Sequence, residues 1–567
     1  MNTIGSYTMQ QGRTGYPWKT MCPYHMMQPA TLAATYRAGS HPDNENDDES
    51  CPLVDAVIHR GSKDWEKSFH VPGHKKGNGI THKHRNVLGD VAFRHDTTEL
   101  QGLDNLQQPG GVILKAMEKA SALWGSEHTW FLVNGATVGI HAAIMATCYR
   151  GADDCLILAR NAHQSAINGS IMAGCSVVYA RNEYSYGIAH HVTPEAVEEA
   201  FIKAKDSGCC PRAALIVSPT YFGVQSDIAA IQKVCNKYGA VCIVDEAHGA
   251  HLAHVPNCQD ALAHGAHLVI QSTHKQLSSL TQSSMLHTQN IPKKMKERLD
   301  RVLKMLQSSS ASYLLLSSLD AARYHMEDKA AVDEPHAAAL HIHSYFNKGS
   351  LKHKDVEISL LSSLVHAPRY DPWRITLVLH HVIDAAYITG WSIATLLETE
   401  RGIVAEMATY NAIVYACGIG TRLDDAQALT DSLDWLIKEQ GIKHLSVPLQ
   451  MISKEKDLIN TNKEDPFGDE RDAAALIAVS CQQPATVPRD VYMSDSIAMP
   501  LEQSVSCIAA ETITVYPPGI PILVPGDVIT ADHVRYIQKL KQTSSSSLLI
   551  GGNACDTIQV MDVFITE

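Results

Sequence analysis

The chain has 567 residues, and at roughly 100–200 residues per domain this length indicates more than one domain. Hydrophobic residues make up 45% and charged residues 19%, an ordinary globular composition that excludes disorder, collagen and coiled coil as the main state. Lys and Arg number 47 against 60 Asp and Glu, so the formal net charge is −13. An acidic chain lacks the positive charge that binds a phosphate backbone, which argues against nucleic acid and is compatible with a cationic small molecule.

The N-terminal segment, residues 1–42, contains no Asp or Glu but holds Arg13, Lys19 and Arg37. This composition suits a transit peptide for a plastid or mitochondrion, and it equally suits a disordered tail on a cytoplasmic protein. We expect residues 1–50 to be an extension and the folded part to follow. Because no run reaches the roughly 18 apolar residues of a membrane span, no membrane association is expected.

The 14 cysteines and 30 histidines call for a test of metal binding. The cysteines are scattered without a C-x-x-C pair, which indicates reduced, buried thiols. His248 and His251 lie close in sequence, as do His341 and His343, but no Cys/His array with zinc spacing surrounds them. A histidine-rich metal-binding protein is therefore the weaker hypothesis, and no metal site is expected.

From about residue 110, helical and extended patterns alternate along the chain. Apolar spacing predicts helices at 112–124, 163–173, 194–206 and 227–238. Short apolar runs predict strands at 155–159, 176–180, 214–218, 241–245 and 267–272. Fully apolar strands separated by helices predict a parallel sheet covered on both faces, in a doubly wound α/β domain at about 86–330.

The later chain is less regular. Residues 391–440 predict a helix–strand–helix element of a smaller domain, and the charged stretch 453–473 predicts a surface loop. Prolines in 516–527 exclude a regular helix there.

Residues with reactive or charged side chains follow the predicted strands, at the edge where parallel α/β sheets bind ligands. Lys275 comes directly after 267–272 with Ser272 and His274 beside it, which suits a Schiff-base nucleophile next to an anion site. Asp245 ends another strand and could hold a positive charge on a ligand. The structural alternatives are an exposed lysine and a helix N-cap.

Two further segments complete this pattern. The small-residue loop 134–139 precedes a helix and is a natural phosphate seat, and His163 follows the strand 155–159. A phosphate seat, an aromatic side chain over the ring, a carboxylate and a lysine are the groups that pyridoxal 5′-phosphate (PLP) requires. Their order, with the lysine last, predicts an aspartate-aminotransferase-like α/β fold with a large, mostly parallel sheet domain and a smaller α+β C-terminal domain.

At this point the sequence resembles the Orn/Lys/Arg decarboxylase family of PLP enzymes. The resemblance spans most of residues 55–530 and is carried by FHVPGHKKG at 69–77, DTTELQGLDNL at 96–106, FLVNGATVGIHAAI at 131–144, RNAHQSAINGSIMAG at 160–174, SPTYFGV at 218–224, VDEAHGAH at 244–251, QSTHKQLSSLTQSSMLH at 271–287 and YPPGIPILVPG at 516–526. It implies a major PLP-binding domain at 51–375 and a C-terminal domain at 376–567.

The resemblance implies a role for each matching residue. Lys275 would carry the cofactor, Asp245 would pair with its ring nitrogen, and His163 would stack on the ring. The expected cofactor-binding residues are completed by Ala136, Thr137, Ala247, Ser272 and His274. Ser309 and Ser310 would reach the phosphate of a neighbouring subunit, which implies a homodimer or a higher homo-oligomer.

The implied reaction is decarboxylation of a basic L-amino acid, arginine or lysine before ornithine, to an amine of the polyamine pathway and carbon dioxide. Lys275 or His274 would protonate the α-carbon. Three departures from the family pattern are Val138 in place of a hydroxyl residue, Ala311 in place of proline, and Asp527 in place of the glutamate expected at the substrate's distal cation. The alternatives are another PLP reaction, such as that of an aminotransferase or a lyase, and a non-catalytic regulator with this fold.

Overall fold

The structure, a computed structural model, describes residues 50–63, 65–353, 356–380, 388–439, 484–515, 519–543, 549–551 and 556–562. All of these belong to one structural unit, Asp48–Glu567. The predicted leader, residues 1–42, and the predicted charged loop, 453–473, lie outside the described residues. The compartment therefore stays a prediction from sequence, with an organelle and the cytoplasm as the alternatives.

The part of the chain up to residue 306 alternates helices and strands. Its helices are α1 (Pro52–Gly61), α2 (His82–His95), α3 (Val112–Trp124), α4 (Gly135–Thr147), α5 (Gln164–Ala173), α6 (Pro194–Asp206), α7 (Ile228–Lys237), α8 (Thr273–Gln276) and α9 (Lys293–Leu306). Its strands are β1 (His128–Leu132), β2 (Asp154–Ala159), β3 (Ser176–Ala180), β4 (Asn182–Ser185), β5 (Ile188–Val192), β6 (Cys210–Val217), β7 (Val224–Gln225), β8 (Val241–Asp245), β9 (Leu268–Gln271) and β10 (Ser284–Thr288).

The central sheet has seven strands in the order β1-β10-β9-β8-β6-β2-β3. Strands β3, β2, β6, β8 and β9 pair in parallel, whereas β10 is antiparallel to both of its neighbours. Every residue of β2 and β9 is buried, as a sheet covered by helices on both faces requires. The five strands predicted from the sequence are confirmed as the parallel part of the sheet, and β1 and β10 are two further strands that were not predicted.

Local sequence signals explain how the covering helices begin and pack. Helix α6 begins as predicted, because the Thr193 side chain accepts a hydrogen bond from the Ala196 amide and Pro194 occupies the first turn. Helix α4 packs directly on the sheet at Gly139, where a Cβ atom would lie 2.8 Å from Leu132 and 2.9 Å from Ile270. A side chain at position 139 would therefore push α4 away from the sheet.

A second sheet follows in the chain, with the strand order β11-β12-β14-β16-β15. The elements of this region are α10 (Tyr313–His325), α11 (Asp333–Phe346), β11 (Leu351–His353), β12 (Val356–Leu360), α12 (Leu361–Leu364), β13 (Arg369–Tyr370), β14 (Arg374–His380), α13 (Gly390–Arg401), β15 (Met407–Ala408), β16 (Ala412–Ala416) and α14 (Leu423–Asp434). The predicted helix–strand–helix element at 391–440 is present as α13, β15–β16 and α14. The predicted domain division at residue 375 falls within β14 and stays a prediction.

The last part of the chain has its own apolar core, formed by side chains such as Leu501, Leu523 and Ile537. Its elements are α15 (Pro488–Tyr492), β17 (Ser496–Pro500), β18 (Ile513–Val515), β19 (Ile520–Leu523), α16 (Ala531–Thr543), β20 (Leu549–Ile550) and β21 (Thr557–Met561). No helix within the described ranges is long and apolar enough to cross a bilayer.

Helix α1 obtains its N-terminal cap from a distant helix. Cys51, at the N-cap position, makes no side-chain capping bond. Instead, the carboxylate of Asp320 on α10 accepts a hydrogen bond of 2.9 Å from the Leu53 amide. Arg323, one turn later, binds the same carboxylate at 2.6 Å and the Ser50 carbonyl at 2.7 Å. The start of α1 is thus tied to a fully buried ion pair.

Candidate active site

The candidate site lies at the carboxyl edge of the central sheet. Strands β1, β2, β8 and β9 run in the same direction, so the loops that follow them meet at one edge. These loops carry Asn134–Gly135, Arg160–His163, Asp245–His248 and Ser272–Lys275. The sheet topology therefore brings together the four segments that the sequence singled out.

Lys275 lies on the short helix α8, which begins directly after β9. The side chain is accessible to solvent, although the nearby Ser272 and Gln276 are buried. The surrounding protein lowers the pKa of the Lys275 amine by desolvation, and the Asp245 carboxylate opposes that effect. The amine nitrogen Nζ lies 3.1 Å from Nε2 of His248. A lysine with a lowered pKa, open to a ligand, is suited to react with an aldehyde.

Asp245 ends β8 and is 5% exposed. Burial raises the pKa of this carboxyl, while the neighbouring His163 and Lys275 act against that effect. The Ala247 amide donates a hydrogen bond of 3.1 Å to Oδ1 and so fixes the orientation of the carboxylate. Ala247, expected to contact a cofactor, thus orients Asp245 through its backbone.

His163 is the N-cap of α5 and is exposed. Its Nδ1 accepts a hydrogen bond of 3.1 Å from the Ser165 amide, which leaves Nε2 as the protonated nitrogen of the neutral ring. Desolvation by the surrounding protein lowers the pKa of the imidazole, and the Asp245 charge opposes this. An accessible ring beside the buried Asp245 leaves one imidazole face free for a planar ligand.

The predicted phosphate seat, residues 134–139, lies at the start of α4. The N-cap residue Asn134 makes no side-chain bond to the first turn, and Gly135 adopts a φ of 77° that favours glycine. Thr137 is exposed in this turn and Ala136 is half-buried, whereas Val138 is buried in the core. Uncapped amides at a helix N-terminus attract anions.

His274 is connected to this seat through the loop before β10. Its Nδ1 lies 2.8 Å from the Ser283 carbonyl and must donate to it. Gln282, the residue before Ser283, donates a hydrogen bond of 2.7 Å to the Val133 carbonyl at the end of β1. The neutral His274 ring therefore carries its proton on Nδ1, and Nε2 donates to an anion only when the ring is charged.

The loop 308–310 lies beside the same seat within one chain. The Ser308 amide donates a 3.3 Å hydrogen bond to Oδ1 of Asn134. Ser309 and Ser310 are exposed, and Ala311, where the resemblance to the family predicts proline, is buried. Whether the two serines serve a neighbouring subunit stays a prediction.

Hydrogen bonds from Arg160 hold the C-terminal part against the loop that carries His163. The buried Arg160 donates hydrogen bonds of 2.7 Å to the Pro521 carbonyl and 2.8 Å to the Ile522 carbonyl. In the same region Oδ2 of Asp527 accepts a 3.1 Å bond from the Val524 amide, and burial raises the pKa of Asp527 to about 6. This carboxylate caps a turn, and its recognition of a substrate stays a prediction.

Two residues of the site were not found from the sequence. His248 is buried, and its Nδ1 lies 2.8 Å from Nη2 of Arg374. Arg374 is also buried, and its Nε and Nη1 have no hydrogen-bond partner within the described ranges. The DEAH motif could have drawn attention to His248, but nothing near Arg374 in sequence indicates this contact, since 126 residues separate the two.

The histidine pairs considered for metal binding have other roles. His251 is buried, binds Asp371 at 2.8 Å and stacks on Trp373. His341 lies 3.4 Å from Thr430, and His343 contacts the Pro372 carbonyl at 3.0 Å. In the part of the chain that the structure describes, no three His, Cys, Asp or Glu side chains are grouped so that they could hold a metal ion.

Comparison with solved structures identifies the fold class of the protein. The lysine decarboxylase A structure from Pseudomonas aeruginosa matches with a TM-score of 0.76 and 21% identity, over 90% of this chain and 80% of that one. The predicted aspartate-aminotransferase-like α/β fold, with a large, mostly parallel sheet and a smaller C-terminal part, is thereby confirmed.

The sequence comparisons define the family. The model of the Orn/Lys/Arg decarboxylase major domain matches residues 51–352, and that of the family's C-terminal domain matches 474–547. An arginine decarboxylase from Bacillus subtilis is 30% identical over 83% of this chain and 90% of that protein. A lysine decarboxylase from Pseudomonas aeruginosa is 26% identical over 56% of this chain and 44% of that protein. The chain belongs to the Orn/Lys/Arg decarboxylase family, a family of amino-acid decarboxylases.

Proposed function

We propose that the protein uses PLP to remove the α-carboxylate of a basic L-amino acid, releasing carbon dioxide and the corresponding amine. The observation that carries this proposal is the arrangement of the accessible Lys275 beside the buried Asp245 at one sheet edge. Family membership supports the reaction type.

The residues at the site fit the cofactor. The groups expected to contact it directly, Lys275, His163 and Thr137, are accessible to solvent. Beneath them Asp245 and Ser272 are buried. The uncapped start of α4 would hold the phosphate, and Asp245, kept from water, would hold a protonated ring nitrogen. Exposed reactive groups over a buried carboxylate are what a planar, phosphorylated ring needs.

Bound PLP supplies an electron-accepting ring that takes up the electron pair released when the carboxylate leaves. Lys275 would attach the cofactor through its amine and yield that position to the substrate amine. His163 would cover one face of the site and exclude water from it. After carbon dioxide leaves, Nζ of Lys275 or Nε2 of the charged His274 would deliver one proton to the α-carbon, which balances the reaction.

We propose arginine as the first substrate to test, with lysine second and ornithine third. The proposal is supported by the relative named arginine decarboxylase, which matches most of both chains. The acidic chain suits a cationic substrate and product. The test is a parallel assay of purified protein with the three amino acids, measuring carbon dioxide and the amine formed. Turnover of none of them would refute the proposal.

The alternative PLP reactions are separated by their products. An aminotransferase would form a keto acid and no carbon dioxide, and a non-catalytic regulator would form neither. Lys275→Ala should abolish amine release and cofactor attachment together. Lys203→Ala, at an exposed lysine on α6, is the matched control and should change neither. Undiminished decarboxylation by Lys275→Ala would contradict the role of Lys275.

We also propose that the protein is a homodimer or a higher homo-oligomer. A stretch near the N-terminus of the folded part leaves large apolar side chains exposed, namely Trp65, Phe69, Val71, Val87 and Val91. Several exposed apolar side chains within one short stretch favour an interface with another subunit. Light scattering should give at least twice the chain mass, and the double variant Phe69→Ser, Val87→Ser should lower it. Val404→Ser, which removes an exposed valine elsewhere, is the control.

A further inference from the structure

A chain of two hydrogen bonds connects Arg374, His248 and Lys275. Nη2 of Arg374 lies 2.8 Å from Nδ1 of His248. On the other side of the ring, Nε2 lies 3.1 Å from Nζ of Lys275. Arg374 and His248 are buried, so water does not compete for the bond between them, whereas Lys275 at the other end of the chain is open to solvent.

The direction of both bonds follows from the chemistry of arginine. A guanidinium donates hydrogen bonds and accepts none, so Nδ1 of His248 must be the acceptor. The neutral ring then carries its proton on Nε2. That proton points at Nζ of Lys275, which must offer a lone pair and therefore be a neutral amine. If Lys275 were an ammonium ion, two donors would face each other.

We propose that Arg374 is a positioning residue that selects the Nε2-protonated form of His248 and thereby keeps Lys275 as a free amine. The proposal rests on the role assigned above to Lys275, since only a free amine attacks a carbonyl carbon. Without the donor from Arg374, the His248 proton could move to Nδ1. Nε2 would then accept a bond from the ammonium form of Lys275 and stabilise it.

The electrostatic surroundings agree with this arrangement. Burial lowers the pKa of His248 well below its ordinary value, with Lys275 and Arg374 acting in the same direction, so the ring is neutral near pH 7. Desolvation by the surrounding protein lowers the pKa of Lys275 to about 8; Asp245 acts against this effect, and Arg374 lowers the pKa further. The titratable and charged groups that face Lys275 are Asp245, Arg374, Glu406, His163, His248 and His274.

The decisive comparison is between Arg374→Gln and Arg374→Met. Both variants lack the positive charge, but only glutamine offers a donor to Nδ1 of His248. The test is trace acetylation of the full-length chain, freed of cofactor, across pH 6–10. Peptide mass spectrometry then gives the pKa of Lys275, with the exposed Lys203 as the internal reference. Loss of one hydrogen bond corresponds to about one pKa unit, so Lys275 should react about tenfold more slowly near pH 7 in Arg374→Met than in Arg374→Gln.

Further variants test whether the substitutions at Arg374 act by misfolding of the protein. Arg374→Lys keeps both charge and donor and should label Lys275 as the wild type does. Arg369→Met removes a guanidinium from an exposed bond to His264 and should have no effect. In ¹⁵N-histidine spectra, the His248 signals, identified by their loss in His248→Gln, should show the proton on Nε2 in the wild type and on Nδ1 in Arg374→Met.

Equal labelling of Lys275 in Arg374→Gln and Arg374→Met at every pH would overturn the proposal. An unchanged His248 proton position in Arg374→Met would do the same. Neither measurement requires turnover, so failure here is distinguishable from failure of the proposed decarboxylation.

Discussion

Replacing Arg160 with methionine should release the C-terminal segment from the loop that carries His163. Methionine fills much of the same space but donates no hydrogen bonds. The change removes two bonds, of 2.7 Å to the Pro521 carbonyl and 2.8 Å to the Ile522 carbonyl. It also removes the guanidinium that lies 5.2 Å from the ring centroid of Tyr179.

The magnitude follows from the charge and burial of these bonds. A hydrogen bond to a charged group contributes about 1.5–3 kcal/mol, so two of them contribute about 3 kcal/mol or more. Because Arg160 is only 9% exposed, solvent does not replace them. At about 1.4 kcal/mol for each factor of ten, opening of the 519–523 segment should become at least about 100-fold more frequent.

Hydrogen exchange measured by mass spectrometry tests this estimate. Peptides covering 519–531 should exchange much faster in Arg160→Met, while the buried strand β8 should be unchanged. Arg298→Met is a suitable control, since Arg298 donates a comparable bond of 2.8 Å to the Ala146 carbonyl on another side of the molecule. If exchange at 519–531 stays within about twofold of the wild type, the two bonds do not hold this segment and the reasoning is wrong.

Three further outcomes are expected. Asp320→Ala should lower the free energy of unfolding in urea by about 3–4 kcal/mol, because it removes the cap of α1 and half of a buried ion pair, and adding Arg323→Met should recover part of the loss. Asp527→Asn should stabilise the protein at pH 7 by about 2–3 kcal/mol and not at pH 4. The folded-state pKa of about 6 exceeds the ordinary 3.8, so the wild type loses stability as the pH rises between these two values. Equal urea midpoints for the two proteins at pH 7 would contradict this prediction. Cofactor binding should take up a proton at His274, whose pKa burial lowers, so calorimetry in buffers of different ionisation enthalpy should show uptake that His274→Gln abolishes.

Much of the fold could be predicted because buried parallel strands are uniformly apolar. The predicted strand 241–245 coincides with β8, and the predicted helix 194–206 coincides with α6. Strands β1 and β10 were not predicted, because their sequences, HTWFL and SMLHT, mix polar and apolar residues. Every residue of β10 is nevertheless buried, so burial alone does not make a strand uniformly apolar.

The site was predictable where its residues follow strands and hidden where they do not. Lys275 and Asp245 come directly after apolar runs, so topology alone brought them together. Arg374 begins a strand of the second sheet, far from the others in sequence, and only the packing of that sheet brings its guanidinium to His248. A periodicity argument finds neither such a contact nor the orientation of an imidazole ring.

The start of α1 has a practical consequence for handling this protein. Its cap and the bond to the Ser50 carbonyl both come from α10. Cutting the chain just ahead of residue 50, whether by a cellular protease or at an engineered site, would remove none of these contacts. An affinity tag joined at that point would likewise leave these contacts with α10 intact.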